Sequence, residues 1–337
     1  MIDFRISEDQ SQIVAAVVAT LNRAPITADP APWTSNDISQ TDVAKLGSLG
    51  WIGIAAPENC GGSAASVTEE ALIAREYGRW LVSPDLIATA VAAGLAAQAG
   101  DLTGARNFVE GSQAAAFGVL NGSDADEDPD SYTVVQAGAT SHYLVFRVRG
   151  PALVRANRSL GFKAGVDPAM RSAVLDSADL NVVHAPEAGA AALLNRTLIL
   201  LAAMLAGNAE ASRDLAVEYA KTRKQFGRLI GSFQAIKHHC ADMHVRARLA
   251  YAQALHAAML DSAGSIETAA QASAAFAVAA AAAVKNAEVG IQIHGAMGFS
   301  AECVAHRFLK RAHVLRIIGE GASATQPVIS SLLESRQ

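Results

Sequence analysis

The chain has 337 residues, a length typical of two or three subdomains rather than of one compact core. Its net charge of -5 at pH 7 argues against a nucleic-acid-binding protein, which depends on an excess of positive charge. Hydrophobic residues make up 51% of the chain but aromatic residues only 5%, so Ala, Leu and Val supply most of the apolar surface and favour close-packed helices.

The cysteines and the apolar runs predict a reduced, cytoplasmic protein. Cys60, Cys240 and Cys303 are odd in number, scattered and without metal-ligand spacing, so we expect neither a disulfide framework nor a metal site. The N-terminus lacks the basic-then-apolar pattern of a signal peptide. The longest apolar runs, 198–206 and 274–284, are shorter than the about 20 residues of a membrane span, so we expect none.

The first hundred residues predict a helical domain. Ser7 and Gln10 have the spacing of a capping box, and the apolar residues that follow recur at helical intervals. Prolines between residues 25 and 32 end that helix. Further helices are predicted at about 41–49, 69–80 and 87–97, with an extended segment at 51–57 and a Gly61-Gly62 turn.

The composition changes after Gly104. Short, partly alternating segments separated by Gly, Pro, Asn or Asp predict strands at 114–120, 132–136, 143–148, 152–155 and 173–175. The acidic run at 124–130 is interpreted as a solvated loop, since a calcium site would need spaced ligands and a turn glycine.

From residue 189 onward the pattern is helical. Helices are predicted at about 190–222, 233–260, 266–289 and 301–313, and a last one begins near 322. Long helices with small side chains are typical of an antiparallel bundle. The predicted fold is therefore α+β and mainly α, with a helical domain (1–105), a small, shortened β domain (106–188) and a C-terminal helical bundle (189–337).

Three cationic residues, Arg223, Lys224 and Arg228, surround Phe226-Gly227 at the end of the first bundle helix. Cations at this position can interact favourably with the negative end of the helix dipole, and the glycine can simply end the helix. They can equally clamp a phosphate or pyrophosphate, with Phe226 stacked on a planar ring. The residues alone leave both interpretations open.

Two further segments have the same ambiguity. Gln292, Gly295 and Gly298 are placed in a turn between helices, where glycines either serve the turn or let backbone amides approach an anion. The nearby His238, His239 and His294 are interpreted as packing or capping residues rather than metal ligands.

Glu320 lies between Gly319 and Gly321, after an apolar stretch. It is either an acidic residue at the start of a last helix or a general base in a pocket shielded from water. The residue alone does not decide between these roles.

In their order and spacing these segments resemble the acyl-CoA dehydrogenase family over most of the chain. The specific matches lie in the bundle: Arg223–Gly227, Phe233-Gln234, Ala241–Met243, Gln292–Gly295 with Gly298, and Glu320-Gly321. Weaker matches precede them: Phe4–Gln10, Leu49–Ile54, Pro57-Glu58, Gly61-Gly62 and Glu76–Arg79.

The resemblance implies a helical domain, a β domain and a four-helix C-terminal bundle, assembled as a dimer of dimers around FAD. The substrate is an acyl-CoA thioester, and the expected electron acceptor is electron-transfer flavoprotein. Glu320 matches the base that removes the α proton. The resemblance assigns the flavin contacts to Arg223, Phe226, Gln234, Gln292 and Gly295.

The resemblance also assigns substrate contacts to Arg196, Gly319 and Gly321. The family's alternative base position is occupied by Asn195, which cannot accept the proton, so Glu320 is the one family-type base left. Gly319 replaces a bulky Tyr and is expected to leave room for a wide substrate.

The departures from the family pattern lie mostly on the chain's own flavin side. The segment of the β domain that holds the flavin ring has no counterpart between residues 104 and 190. Ala322 and Ala324 replace the Thr and Gln that face a subunit's own flavin, and Ala296 replaces a glycine. The groups that reach a neighbour's flavin are kept.

This asymmetry leads to one main hypothesis. The chain is one subunit of a heteromeric, α2β2 acyl-CoA dehydrogenase whose second subunit is full length, similar to actinobacterial enzymes for bulky, steroid-derived acyl-CoA. The alternatives are a complete homotetrameric dehydrogenase with Glu320 as base, a non-catalytic stabilising subunit, and a related flavin monooxygenase or oxidase.

Overall fold

The computed structural model describes residues 5–23, 40–121, 129–147, 150–186 and 189–323. Five helices form the N-terminal part: α1 (Glu8–Arg23), α2 (Gln40–Ser48), α3 (Val67–Arg79), α4 (Asp85–Gln98) and α5 (Leu102–Val109). The first four lie where the sequence places helices. The predicted capping box is present, since the Ser7 and Gln10 backbone N–H groups donate to each other's side chains at 3.0 and 3.1 Å.

Two features of this part differ from expectation. Residues 51–57 form bends and turns instead of an extended segment. Helix α5 was not predicted, and it crosses the predicted domain boundary at residue 105. Its signal is the N-cap Asp101, whose carboxylate accepts the Gly104 N–H at 2.8 Å.

A seven-stranded mixed sheet follows, in the order β5-β6-β2-β1-β3-β4-β7. Only the β1–β3 pair is parallel among the pairings described. The five predicted strands are present, and two short strands, β5 and β7, were missed. The strands are β1 (Ala115–Asn121), β2 (Ser131–Gln136), β3 (His142–Arg147), β4 (Gly150–Ala156), β5 (Lys163–Ala164), β6 (Arg171–Asp176) and β7 (Leu180–His184).

The two faces of the sheet are buried separately. Phe117, Leu144 and Phe146 belong to the main core shared with the helices, whereas Tyr132 and Val145 belong to a smaller cluster on the opposite face. This alternation is the period-2 pattern of a strand with two different surroundings. The sheet is therefore anchored to the helices through one face. The acidic run predicted as a loop lies almost entirely outside the described residues.

The bundle consists of four helices and a hairpin between the first two. The helices are α6 (Ala190–Thr222), α7 (Gln234–Ser262), α8 (Thr268–His294) and α9 (Ala305–Ser323), and the hairpin strands are β8 (Lys224–Gln225) and β9 (Arg228–Leu229). The prediction of two separate helices, at 301–313 and from 322, is wrong, because α9 is continuous between them. Gly319 and Gly321 lie inside this helix, since a helix packed against neighbours tolerates glycine.

Buried ion pairs join the three parts of the chain. Arg311 of α9 donates to Asp167 at 2.6 Å and to the Leu81 carbonyl at 2.7 Å, so the bundle, the β domain and the N-terminal part meet at one guanidinium. Arg75 of α3 donates through Nε to Glu210 of α6 at 2.9 Å. The Arg311 contacts fix α9 to the β domain and to the N-terminal part, and the Arg75 contact fixes α3 to α6.

Two apolar segments, Ala190–Thr222 and residues 268–299, are long enough to cross a membrane by length and composition. The prediction that no segment is long enough for a membrane span was too strict, because it counted only uninterrupted apolar runs. In the structure 83% and 61% of their apolar windows are buried inside the chain, as in core helices.

Candidate functional site

A tight β-hairpin leaves the C-terminal end of α6. Gln225 pairs with Arg228, so Phe226 and Gly227 form a two-residue loop. Their φ angles are 53° and 75°, and two positive φ angles are the requirement of a type I′ turn. A phenylalanine in this region costs about 1–2 kcal/mol relative to ordinary backbone. The turn therefore holds Phe226 in an unfavourable conformation, with 91% of the residue exposed to solvent.

Aromatic and cationic side chains surround this loop. The ring of Phe226 is edge-on to that of Phe233, with centroids 6.2 Å apart. The Arg228 guanidinium lies 4.0 Å above the Phe233 ring. Arg223 is exposed, and its backbone is held by Tyr219 and Ile230. The hairpin thus presents a ring and a guanidinium outward.

A small apolar cluster brings the hairpin together with the beginning of α7 and the end of α8. Its buried members come from the end of α6, the residue after the hairpin, α7 and α8: Ala216, Ala220, Ile230, Met243 and Ile293. Tyr219 stacks on His294 with ring centroids 4.3 Å apart, and His294 Nδ1 lies 2.7 Å from the Gly290 carbonyl oxygen. The interpretation of His294 as a packing residue is confirmed.

The five residues predicted to contact the flavin lie on or beside this cluster, and all five are exposed: Arg223, Phe226, Gln234, Gln292 and Gly295. We call these five residues the clamp. Gln292 lies in the last turn of α8 and not in a turn between helices, so that prediction is corrected. Gly295 ends the helix with a φ of 62°, and no heavy atom lies within 4 Å of the position of a side-chain carbon. The clamp is an open surface of amide, guanidinium and aromatic groups.

Glu320 lies near the end of α9, in a different environment. Its side chain is 57% exposed, and Arg316 Nε lies 3.2 Å from its Oε1. The role at the start of a last helix is corrected, because Glu320 lies near the end of α9. The side chain is open to solvent in the single chain, and the role of general base stays a prediction.

The glycines beside Glu320 are close-packing residues. A methyl group on Gly319 would lie 2.0 Å from Cε2 of Phe276, and one on Gly321 would lie 2.9 Å from Cγ1 of Val119. The expectation that Gly319 leaves room for a wide substrate is therefore wrong in this chain, because the Phe276 ring of α8 fills that volume.

The clamp and Glu320 lie at different ends of the bundle. Phe276, which contacts the backbone next to Glu320, and Gln292 of the clamp are both in α8, sixteen residues apart. At 1.5 Å per residue this is a separation of about 24 Å. The two groups therefore do not line one pocket within the chain.

Arg196 was expected to contact substrate, and the structure corrects this. Its Nε and Nη2 donate to the two carboxylate oxygens of Glu70, each at 2.7 Å, and its side chain is 12% exposed. Such a bidentate pair in the interior is specific in geometry and costly to break. Arg196 joins α6 to α3, and Asn195 beside it is also buried.

The sheet beside α9 offers few groups for a flavin ring. Val119 packs on Gly321, and the register places Thr133 opposite Val119 on the same face. The Thr133 hydroxyl already donates to Asn121 at 2.7 Å. Ala322 is fully buried, while Ala324 lies outside the described residues. FAD therefore fits the clamp, with its exposed donors, better than it fits this chain's own sheet.

Phe276 was missed from the sequence, and Phe233 was named only as part of a motif, although both contact a predicted site residue. Phe276 is the one aromatic residue in the Ala-rich segment 269–283, and that contrast was a usable signal. Among the described residues, no group of three or more His, Cys, Asp or Glu side chains is arranged to hold a metal ion.

Comparison with known proteins gives a consistent family. The model of the acyl-CoA dehydrogenase C-terminal domain matches residues 189–329, and that of the N-terminal domain matches residues 7–104. Acyl-CoA dehydrogenase IpdE2 of Mycobacterium tuberculosis is 36% identical over 268 residues, which are 79% of this chain and 77% of that protein.

Two solved structures share the fold. The ChsE4-ChsE5 complex from Mycobacterium tuberculosis matches with a TM-score of 0.79 at 21% identity, covering 98% of this chain and 99% of that chain. The Tcur3481-Tcur3483 steroid ACAD matches with a TM-score of 0.75 at 20% identity, covering 98% of both chains.

Proposed function

The chain belongs to the acyl-CoA dehydrogenase family, and we propose that it is the flavin-clamping subunit of a heteromeric, α2β2 member. In this proposal the clamp holds FAD that belongs mainly to a second, full-length subunit. The complex removes hydrogen from the α and β carbons of a bulky acyl-CoA thioester.

One observation carries the proposal: the clamp is exposed, and its Gln292 lies about 24 Å along α8 from Phe276, the residue that contacts the backbone next to Glu320. Residues that bind a cofactor within their own chain lie beside the reacting groups of that chain. Here the complementary sheet carries Val119 and an already bonded Thr133 instead of free donors. A clamp without a ring site in its own chain is the arrangement expected of a subunit that completes a neighbour's site.

The charges of the hairpin support an unlike partner. Arg223, Lys224 and Arg228 are exposed, and the hairpin contains no acidic residue. Two identical copies meeting symmetrically over this surface would bring the cations together, which is unfavourable. The pyrophosphate of FAD and an acidic neighbour would neutralise them.

Glu320 is the proposed base. Its carboxylate would take the α proton, a step that becomes feasible only where donors stabilise the negative charge that develops on the thioester oxygen. When bound, FAD supplies the acceptor for the β hydrogen as hydride. A second candidate, a non-catalytic stabilising subunit, is favoured by the exposure of Glu320.

The substrate class, acceptor and location belong to the same proposal. A bulky, steroid-derived acyl group is proposed from the family resemblance and from the fold shared with a steroid ACAD. Electron-transfer flavoprotein is the proposed electron acceptor. The three free cysteines agree with the reducing cytoplasm as the proposed location.

Purification from the native host, followed by identification of any second chain, tests the proposal. We expect a stoichiometric unlike subunit and FAD in the complex, with neither FAD nor turnover in this chain expressed alone. A homotetramer of this chain with one FAD per subunit and full turnover would contradict the heteromeric assignment and support the complete homotetrameric enzyme instead.

A further inference from the structure

Phe276 and Gly319 form a complementary pair of one large and one absent side chain. Three ring atoms of Phe276 lie 2.0, 2.2 and 2.8 Å from where the first side-chain carbon of residue 319 would be. Phe276 is 5% exposed and belongs to the main core, so its ring has little freedom to move away. Gly319 is therefore required by the neighbouring ring, and the space beside it is occupied.

The same contact limits what can approach Glu320. On one side the backbone of α9 rests against Phe276, and on the other it rests against Val119 of β1. Glu320 itself faces outward. A group that reaches Glu320 from solvent and extends inward between α8 and α9 meets the Phe276 ring.

We infer that Phe276 is the specificity-determining residue beside Glu320, an inference that rests on the proposed function. Its ring limits how far the acyl group extends inward past the base, in the way that a side chain at residue 319 would. The bulk of a wide acyl group then lies on the outer face of α9, where the partner subunit completes the site. Gly319 is the complement of Phe276 and does not select the substrate by itself.

The first part of the test concerns the pair. We expect Gly319→Ala to lower the melting temperature of the purified complex, and Phe276→Ala/Gly319→Ala to lower it by less than the two single changes together. Additive effects would contradict the contact between residues 276 and 319.

The second part concerns specificity and uses the whole complex from the native host with two probes, octanoyl-CoA and the steroid thioester cholyl-CoA. Titration calorimetry gives the ratio of their dissociation constants. We expect Phe276→Ala to shift this ratio at least 10-fold in favour of cholyl-CoA, and Phe276→Leu to shift it less. Phe276→Leu keeps most of the core volume, so it provides a result even where the alanine variant does not fold.

Phe308→Ala is the matched control. Phe308 is a buried phenylalanine of the same helix, α9, eleven residues before Gly319 and about 17 Å away along the axis. The Phe308→Ala change removes the same kind of side chain from a different apolar cluster, and we expect it to leave the ratio of dissociation constants unchanged.

The outcomes separate the two proposals. A wild-type complex that binds the thioesters, with a ratio unchanged in both Phe276 variants, would overturn this inference alone. A ratio that shifts equally in Phe276→Ala and Phe308→Ala would show a general packing effect and would overturn it too. Failure of the wild-type complex to bind either thioester would overturn the proposed function and the inference with it.

Discussion

The two ends of the bundle differ in what surrounds their chemical groups. At the clamp, Phe226 is 91% exposed and Gly295 has open space around it. At Glu320, the backbone is packed between the Phe276 ring and Val119, and the carboxylate faces outward beside Arg316. We call the clamp the open end and the closely packed segment around Glu320 the closed end.

This difference separates two kinds of glycine. Gly227 and Gly295 have positive φ angles that other residues rarely adopt, so they shape a loop and a helix end for exposed groups. Gly319 and Gly321 are helical, and they are needed because another element touches the backbone. Glycines next to a candidate site therefore do not by themselves indicate space for a ligand.

The largest expected effect concerns the closed end. Glu320→Gln removes a proton acceptor while keeping size, and loss of a general base typically costs about 10²–10⁴-fold in rate. We expect a fall of that size in kcat of the complex, measured with a dye acceptor, with FAD content unchanged.

Glu288→Gln is the control for this change, because it removes another exposed glutamate paired with a nearby cation, Lys285. We expect it to leave kcat unchanged. An unaltered kcat in Glu320→Gln would assign the chain to the non-catalytic alternative, with the clamp as its contribution.

The next effect concerns a buried carboxylate outside both ends, Asp85 of α4. Asp85 is buried near Arg311 of α9, and burial raises its pKa to about 6, although its carboxylate accepts backbone N–H groups from Ala137 and Gly138. A pKa raised above the unfolded value means that stability is full at low pH and is lost as pH rises through about 6. The loss approaches roughly 3 kcal/mol.

Asp85→Asn should remove this loss. We expect the variant to be more stable than wild type above about pH 6 and to converge with it near pH 4, in urea unfolding followed across that range. Asp179→Asn, which removes a partly exposed carboxylate paired with Arg158, should shift stability by less than about 1 kcal/mol. A difference in unfolding free energy between Asp85→Asn and wild type that is the same at every pH would contradict the raised pKa of Asp85.

The open end is tested by Arg223→Ala. A charge-assisted hydrogen bond to a phosphate contributes about 1.5–3 kcal/mol, so FAD should bind the complex roughly 10–100-fold more weakly. Fluorescence titration of the flavin-depleted complex measures this. Lys221→Ala removes a nearby cation that is already paired with Glu218 at 2.6 Å, and FAD affinity should not change.

The smallest effect separates stability from binding at the same end. Asn tolerates the left-handed conformation that Phe226 is forced to adopt. Phe226→Asn should therefore leave the free energy of unfolding unchanged or raise it by at most about 1 kcal/mol, which thermal unfolding measures. FAD affinity should fall, because the stacking ring is lost. A fall in stability with intact FAD affinity would show that Phe226 serves the fold instead.

Much of the fold was predictable from local patterns. The capping box at Ser7 and Gln10, the helix that ends at Thr222 and the five main strands depend on spacing over a few residues. The two-residue strand β5 was not predictable in this way, because it exists only through its pairing with β6. The five-residue strand β7 was also missed. The five clamp residues were identified by motif, and their exposure came from the structure.

The sequence by itself determined the family, the helical and strand segments, and the identity of the cationic hairpin and of Glu320, since these are recorded in residue type and short spacing. Only the tertiary structure decided that Arg196 pairs with Glu70, a residue 126 positions earlier in the chain. It likewise decided that α9 continues through two glycines and that Phe276 occupies the space beside Gly319. Contacts between distant segments depend on how the elements pack, and no local pattern records them.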